Sequence, residues 1–337
     1  MLELNTLKKI DKNSMYEIYD KWPEISRKHY NSNIKIAEFT DIDHVVFVGM
    51  GGSGTLGDIF SSILSKTNIH VSVVKGYLLP KTVDKNSLVV FTSVSGNTIE
   101  TLSALKDAKN RECNTISFSS GGKVETFCKK NHLEYRKIKQ IHSPRASFVS
   151  YLYSMLRVLE NILPIKKNEI ENSISKLEVL NKKISSKNLT SKNPALRLAK
   201  EISGVPLIYY PWGFQAAAIR FKNSLQENAK LHAVIEDVVE ASHNGIVAWE
   251  NESQISPILL QGYDDYVKTK ERWKILKEYF KMNEIEYNEI LSIRGNILSK
   301  LVYLVYFLDY TSIYKAVLSK TNPTPVKSID YIKSKLE

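Results

Sequence analysis

Residues 44–49 read HVVFVG, a short run of β-branched and aromatic side chains that stops on glycine. A run apolar at every position has no face to offer water, so the strand it forms must be covered on both sides. The pattern recurs at HVSVV (70–74), SLVVFTS (87–93) and NTISF (114–118), with helical stretches expected between them at 55–66, 98–109 and 122–130. Strands alternating with helices predict a doubly wound α/β sheet. Residues 147–163 are apolar at helical spacing and stop before Pro164, which sets the expected boundary between domains 1–164 and 165–337. The second half repeats the plan, with helices expected at 169–183 and 194–202, a strand at 205–210, a helix at 214–225, strands at 231–235, 256–262 and 284–290, and helices at 265–281 and 296–317. Similar element order without matching sequence suggests a structural pseudo-repeat.

A chain of 337 residues can bury two cores unaided. Its two cysteines, Cys113 and Cys128, are too few for a disulfide framework or a zinc site, and neither HxH nor HExxH occurs, so no metal is expected. No apolar run reaches the roughly 20 residues of a membrane span, and the N-terminus offers no uninterrupted apolar stretch for secretion. The expectation is a cytoplasmic protein without a membrane partner. A net charge of +11 suits an anionic ligand. Apart from pairs such as Lys8-Lys9 and Lys129-Lys130, however, the basic residues are scattered among acids, which reads as a solvated surface rather than a nucleic-acid footprint.

After the first strand, Gly49-Met50-Gly51-Gly52-Ser53-Gly54 satisfies the GxGxxG spacing formally. A dinucleotide site also wants an acid at the end of the second strand, and there the chain reads Lys75-Gly76-Tyr77. No GKS or GKT follows the glycines either. What remains is a tight turn that brings backbone N–H groups and a hydroxyl to a ligand, with Gly51, Gly52 and Ser53 as candidate substrate-binding residues. A second loop, Ser93-Val94-Ser95-Gly96-Asn97-Thr98, lies between a buried strand and a helix. Hydroxyls gathered at a helix N-terminus wrap a phosphate monoester with neutral donors, so Ser93, Ser95 and Thr98 are candidate phosphate ligands. A small phosphate fits there and a long polyanion does not. Asn97 is also the expected N-cap of the following helix, with Glu100 completing a capping box.

The strand, GGSG turn, strand and S-x-S-G-N-T-x-E-T sequence resembles a sugar isomerase (SIS) domain. The wider pattern is similar to the archaeal and bacterial bifunctional phosphoglucose/phosphomannose isomerases, adding HSPRASF (142–148), QENAKLHA (226–233), EASHNGIVAWE (240–250) and NPTPV near the C-terminus. The resemblance implies two SIS domains, each a doubly wound, mostly parallel, flavodoxin-like sheet flanked by helices. It further implies cofactor-free interconversion of glucose 6-phosphate, and of mannose 6-phosphate, with fructose 6-phosphate through a cis-enediol. On the matching motifs Glu227 becomes the base that moves the proton between carbons, and His243 the ring-opening group, reaching the site from the neighbouring subunit of a homodimer with shared active sites. Arg145 would stabilise the enediolate oxygens. The family's C-terminal lysine falls on Lys333, with Lys320 and Lys327 as rivals. Against this stand a non-catalytic phosphosugar regulator, for which the roughly 40 residues before the first strand look too short to hold a DNA-binding motif, and a dinucleotide-dependent oxidoreductase, weakened at Lys75.

Overall fold

The computed structural model describes residues 2–336. Before the first strand come three helices that sequence reading did not anticipate, α1 (Leu4–Ile10), α2 (Met15–Asp20) and α3 (Trp22–Tyr30). The chain then alternates through β1 (His44–Val48), α4 (Gly51–Leu64), β2 (His70–Val74), β3 (Ser87–Ser93), α5 (Ile99–Asn110), β4 (Asn114–Ser119), α6 (Gly122–Lys130) and β5 (Glu134–Lys137). Helices α7 (Phe148–Val158), α8 (Lys167–Ile184) and α9 (Pro194–Glu201) lead to a second series: β6 (Val205–Tyr210), α10 (Gln215–Ser224), β7 (Val234–Asp237), α11 (Val238–Ala241), β8 (Ile255–Gln261), α12 (Val267–Met282) and β9 (Asn288–Leu291). Helices α13 (Ile297–Leu318) and α14 (Lys327–Leu336) follow.

Two compact units emerge. One comprises Lys21–Glu178 and Gly295–Val302, the other Met1–Asp20, Val179–Arg294 and Tyr303–Glu337. The division therefore falls within α8 and again within α13, between Val302 and Tyr303, and groups α1 and α2 with the second sheet.

In the first unit five parallel strands lie in the order β2-β1-β3-β4-β5. Every residue of β1 and β3 is buried, as their uninterrupted apolar runs require. Val46, Val48, Val89 and Phe91 pack on one face with Ala104, Leu105, Val124 and Cys128. On β1, Phe47 stacks on Phe60 of α4 with ring centroids 4.8 Å apart. Burial of each such side chain contributes about 1.5–3 kcal/mol. At the strand starts the His44 ring lies between Ser72 Oγ (2.9 Å) and Ser87 Oγ (3.3 Å) and packs on His70, which makes both histidines structural.

The second unit carries four parallel strands in the order β7-β6-β8-β9, the same winding as β2-β1-β3-β4. Its core joins Leu207, Tyr209 and Leu259 to Val238, Trp273 and Phe280. The pseudo-repeat extends to the pairing of the first two strands at their ends: Val48, last in β1, pairs Val74, last in β2, and Tyr210, last in β6, pairs Asp237, last in β7.

Helix α13 is long and apolar enough to cross a membrane, yet 83% of its most apolar window is buried inside the protein. It is a core helix, with Asp309, Thr311 and Ser312 fully buried along it.

Candidate active site

In a sheet wound 2-1-3-4, the chain leaves strands 1 and 3 toward opposite faces, and a crevice opens beyond their carboxyl ends. In the first unit the glycine turn leaves β1 at that crevice and the hydroxyl loop leaves β3. Sequence reading started the glycine-turn helix at Thr55. In the structure α4 begins at Gly51, so Gly51, Gly52 and Ser53 are its first turn. Ser53 and Gly54 N–H both bond to Met50 O, at 3.0 and 3.2 Å, and no side chain caps the helix. The remaining first-turn N–H groups have no intrahelical partner by geometry and carry the positive end of the helix dipole. Lys75, standing where a dinucleotide fold wants an acid, bonds Asp58 at 2.6 Å. Burial pushes the Asp58 carboxyl above its usual pKa, and Lys75 offsets part of that shift.

The hydroxyl loop is tightly held. Ser93 Oγ lies 2.9 Å from Thr98 Oγ1 and accepts from Gly96 N–H at 3.1 Å, while Ser95 Oγ accepts from Asn97 N–H at 3.3 Å. Gly96 adopts φ +70°, and a Cβ there would lie 1.8 Å from Gly121 O, so only glycine lets the loop pass. The expected cap is corrected: Thr98, not Asn97, is the N-cap of α5, and its side chain makes no capping bond. Asn97 instead accepts from Lys123 N–H at 3.0 Å and so serves α6. That division leaves the α5 N-terminus open beside Ser93, Ser95 and Thr98. A groove of about 510 Å³ lies between α5 and α6, lined by Asn97, Lys106, Lys123 and Lys130 among others. Neutral donors, two uncapped helix N-termini and nearby lysines together favour a small anion.

Arg145 belongs to the same unit, in the turn before α7, and is 4% exposed. A solvated surface arginine is thereby ruled out. Ser147 ties the turn through bonds to Ile141 O (3.0 Å) and Ser143 O (2.9 Å).

Glu227, His243 and Lys333 stand on three separate stretches of the other unit, His243 in the turn after α11. Sequence reading put Glu227 just past a helix. The structure puts it within a single π-helical turn, Leu225–Ala229, that continues α10. Such turns hold an extra residue in the helix and recur at functional sites. The turn closes at Lys230 in the left-handed region, φ 56°, with Lys230 Nζ donating to Glu227 O at 2.6 Å. Glu227 is half-buried. His243 is exposed between α11, capped by Asp237, and a 3₁₀ turn at Gly245–Glu250. Lys333 lies on α14, whose described residues are all exposed.

Sequence reading missed the buried polar system beneath the π turn. Asp309, an isolated acid in an apolar helix, was its one legible sign. A groove of about 1440 Å³ contains none of the expected site residues. It lies where β8 and β9 begin, the end of the sheet opposite the loops, and strand-end geometry outweighs its size. Among the described residues no group of three or more His, Cys, Asp or Glu side chains is placed to hold a metal ion.

Two parallel 2-1-3-4 sheets, one with a hydroxyl loop at its switch point, define a two-domain SIS protein. Residues 38–160 match the SIS domain family, and residues 191–336 match the bacterial phospho-glucose isomerase C-terminal SIS domain. The chain is similar to a bifunctional phosphoglucose/phosphomannose isomerase of Caldicellulosiruptor bescii, 34% identical over 96% of this chain and 98% of that one. It is also similar to one of Aquifex aeolicus, 30% identical over 89% and 92%. The chain belongs to the bifunctional phosphoglucose/phosphomannose isomerase family, and it is an isomerase. Among solved structures, a hypothetical protein of Thermus thermophilus shares the fold with a TM-score of 0.74 at 12% identity, covering 98% of this chain and 93% of that one.

Proposed function

We propose that the protein interconverts glucose 6-phosphate and mannose 6-phosphate with fructose 6-phosphate through a cis-enediol. The observation that carries this is the pair of uncapped helix N-termini at the switch point of the first sheet, lined by Ser93, Ser95, Thr98, Gly51, Gly52 and Ser53. They suit a phosphoryl group held by neutral donors and helix dipoles. In this reading residues 1–164 grip the phosphate and residues 165–337 supply the base.

His243 opens the pyranose by donating to the ring oxygen while accepting the anomeric hydroxyl proton. Glu227 then takes the C2 proton of the aldose; the C2–H electron pair forms the C1=C2 bond, the C1=O π pair moves onto O1, and O1 takes up the proton that the C2 hydroxyl gives up. The same carboxyl returns the carbon-bound proton to C1: the C1=C2 pair forms the new C1–H bond while the O2 electron pair closes the C2=O of the ketose. No electrons leave the sugar, so the reaction requires no redox cofactor. Glucose and mannose phosphates differ only at C2 and collapse to one enediol. Arg145, buried and permanently charged, stabilises the enediolate oxygens, and Lys333 adds a second cation. The exposure of His243 suits delivery to the neighbouring copy of a homodimer, in which two sites are shared. A cytoplasmic setting accords with two buried free thiols.

The test is a coupled assay with fructose 6-phosphate in the presence of EDTA, following both aldose phosphates. Glu227→Gln should lose most turnover while still binding phosphosugar, and full turnover in that variant sinks the assignment of the base. Mixing inactive Glu227→Gln and His243→Ala subunits should restore part of the activity. Confirmed heterodimers that stay inactive would count against a shared site.

A further inference from the structure

The π turn is underpinned by buried polar groups of α13. Asn228, next to Glu227 and fully buried, donates from Nδ2 to Ser312 Oγ at 2.8 Å, and Ser312 Oγ donates to Asp309 O at 2.6 Å. One turn earlier Ser224 Oγ donates to Asp309 Oδ1 at 2.5 Å. Arg220 completes the set with Nε 3.1 Å from each Asp309 oxygen and Nη2 2.7 Å from Oδ2, while Tyr19 OH donates to Oδ2 at 3.1 Å. Arg220 and Asp309 are 2% and 0% exposed.

A buried ion pair of this kind is expensive. Apolar residues of the same volume often serve stability as well or better, so its presence points to a geometric requirement. The requirement is evident from the turn. A π turn forgoes the regular i to i−4 ladder, and without outside anchors it relaxes toward an α-helix, which rotates each later side chain by about 100°. Residues 224 and 228 flank the Glu227 position on the side held by α13, so the two anchors fix that rotation. Burial opposes the Arg220 charge, yet Asp309, with Tyr19 and Glu227 adding to it, holds the guanidinium pKa above its usual value. Glu227 thus lies within electrostatic reach of the same network.

Resting on the reading of Glu227 as the base, we propose that Asn228, Ser312 and the Arg220–Asp309 pair are positioning residues that lock the π turn and so aim the Glu227 carboxylate at the substrate carbons. They touch no substrate. Misplacing a reacting group by about 1 Å costs on the order of 100-fold, so cutting one anchor should cost about tenfold in kcat with KM nearly unchanged.

The experiment compares Ser312→Ala, Asn228→Ser and Glu227→Gln with the unmodified enzyme, well below each melting temperature. The proposal expects kcat to fall more than about threefold in both anchor variants, KM to stay within about twofold, and the acid limb of the kcat/KM pH profile to move. Folded anchor variants with unchanged kcat overturn it, as does a rise in KM alone. Should Ser312→Ala not fold, Asn228→Ser decides by the same criteria, and Asp309→Asn replaces it if neither folds. Full activity in Glu227→Gln refutes the base itself, an outcome distinct from failure of the anchors.

Discussion

Replacing Gly96 with alanine is expected to weaken both the fold and phosphosugar affinity, for reasons that can be counted. The new Cβ would lie 1.8 Å from Gly121 O and 2.6 Å from Gly121 C, where approaches under 3.0 Å essentially never occur. The two backbones must therefore part by at least 3.0 − 1.8 = 1.2 Å. Separation on that scale breaks Val124 N–H to Gly96 O (2.9 Å) and Gly96 N–H to Ser93 Oγ (3.1 Å), each worth about 1 kcal/mol net. Holding alanine at φ +70° adds about 1 kcal/mol. The sum, about 3 kcal/mol, corresponds to a drop of about 6–12 °C in Tm for a unit of this size. Moving the hydroxyl loop by this distance should lower kcat/KM for fructose 6-phosphate about 100-fold. Gly76→Ala is the internal control, since a Cβ there meets nothing within 4 Å. Thermal melts and initial rates on both variants settle the matter. Gly96→Ala with the unmodified Tm and kcat/KM would refute the argument that this glycine is what lets the phosphate loop close.

Thr98→Val keeps the shape of the cap but removes the hydroxyl that meets Ser93 at 2.9 Å. KM should rise about tenfold with kcat little changed, and steady-state kinetics showing KM unaltered would remove Thr98 from the phosphate ligands. Burial, with His70 adding to it, holds the His44 pKa below the usual 6.5. The unfolded chain therefore takes up a proton that the folded one resists, so this contribution to stability is complete above about pH 6.5 and is lost as pH falls through that value and toward the folded pKa. Melting curves from pH 7.5 to 5 should show a shallower decline for His44→Asn than for the unmodified protein, and parallel declines would exclude His44 as a source of the acid sensitivity.

Buried elements were legible because burial leaves a compositional trace. The limits of β1, β3 and β6 agree with expectation to within one residue, each being buried almost throughout, and the partly exposed β2 was legible from its β-branched valines. The other edge strands lack that trace. The polar β5, EYRK, went unseen, β7 starts three residues later than expected, and β9 is shorter at its start. Glycine's poor helix propensity hid the first turn of α4. At the site, the motifs located both loops on the correct strands, but which helix Asn97 caps depends on packing between α5 and α6, which no local spacing encodes. The π turn is equally silent in sequence, since the side-chain bonds that Asn228 and Ser224 make run to a helix some 85 residues away.

Counted from the ends of β3 and β8, residues 262–266 follow the third strand of the second sheet as 94–98 follow that of the first. The later loop reads Gly-Tyr-Asp-Asp-Tyr, and Asp265 is engaged by Gly262 N–H and Trp273 Nε1. An incoming phosphoryl dianion would face carboxylates there instead of alcohols. The repeated winding therefore does not repeat the hydroxyl loop: on the proposed reading only the first unit would hold a phosphoryl group, its sister loop carrying charge of the same sign as that ligand.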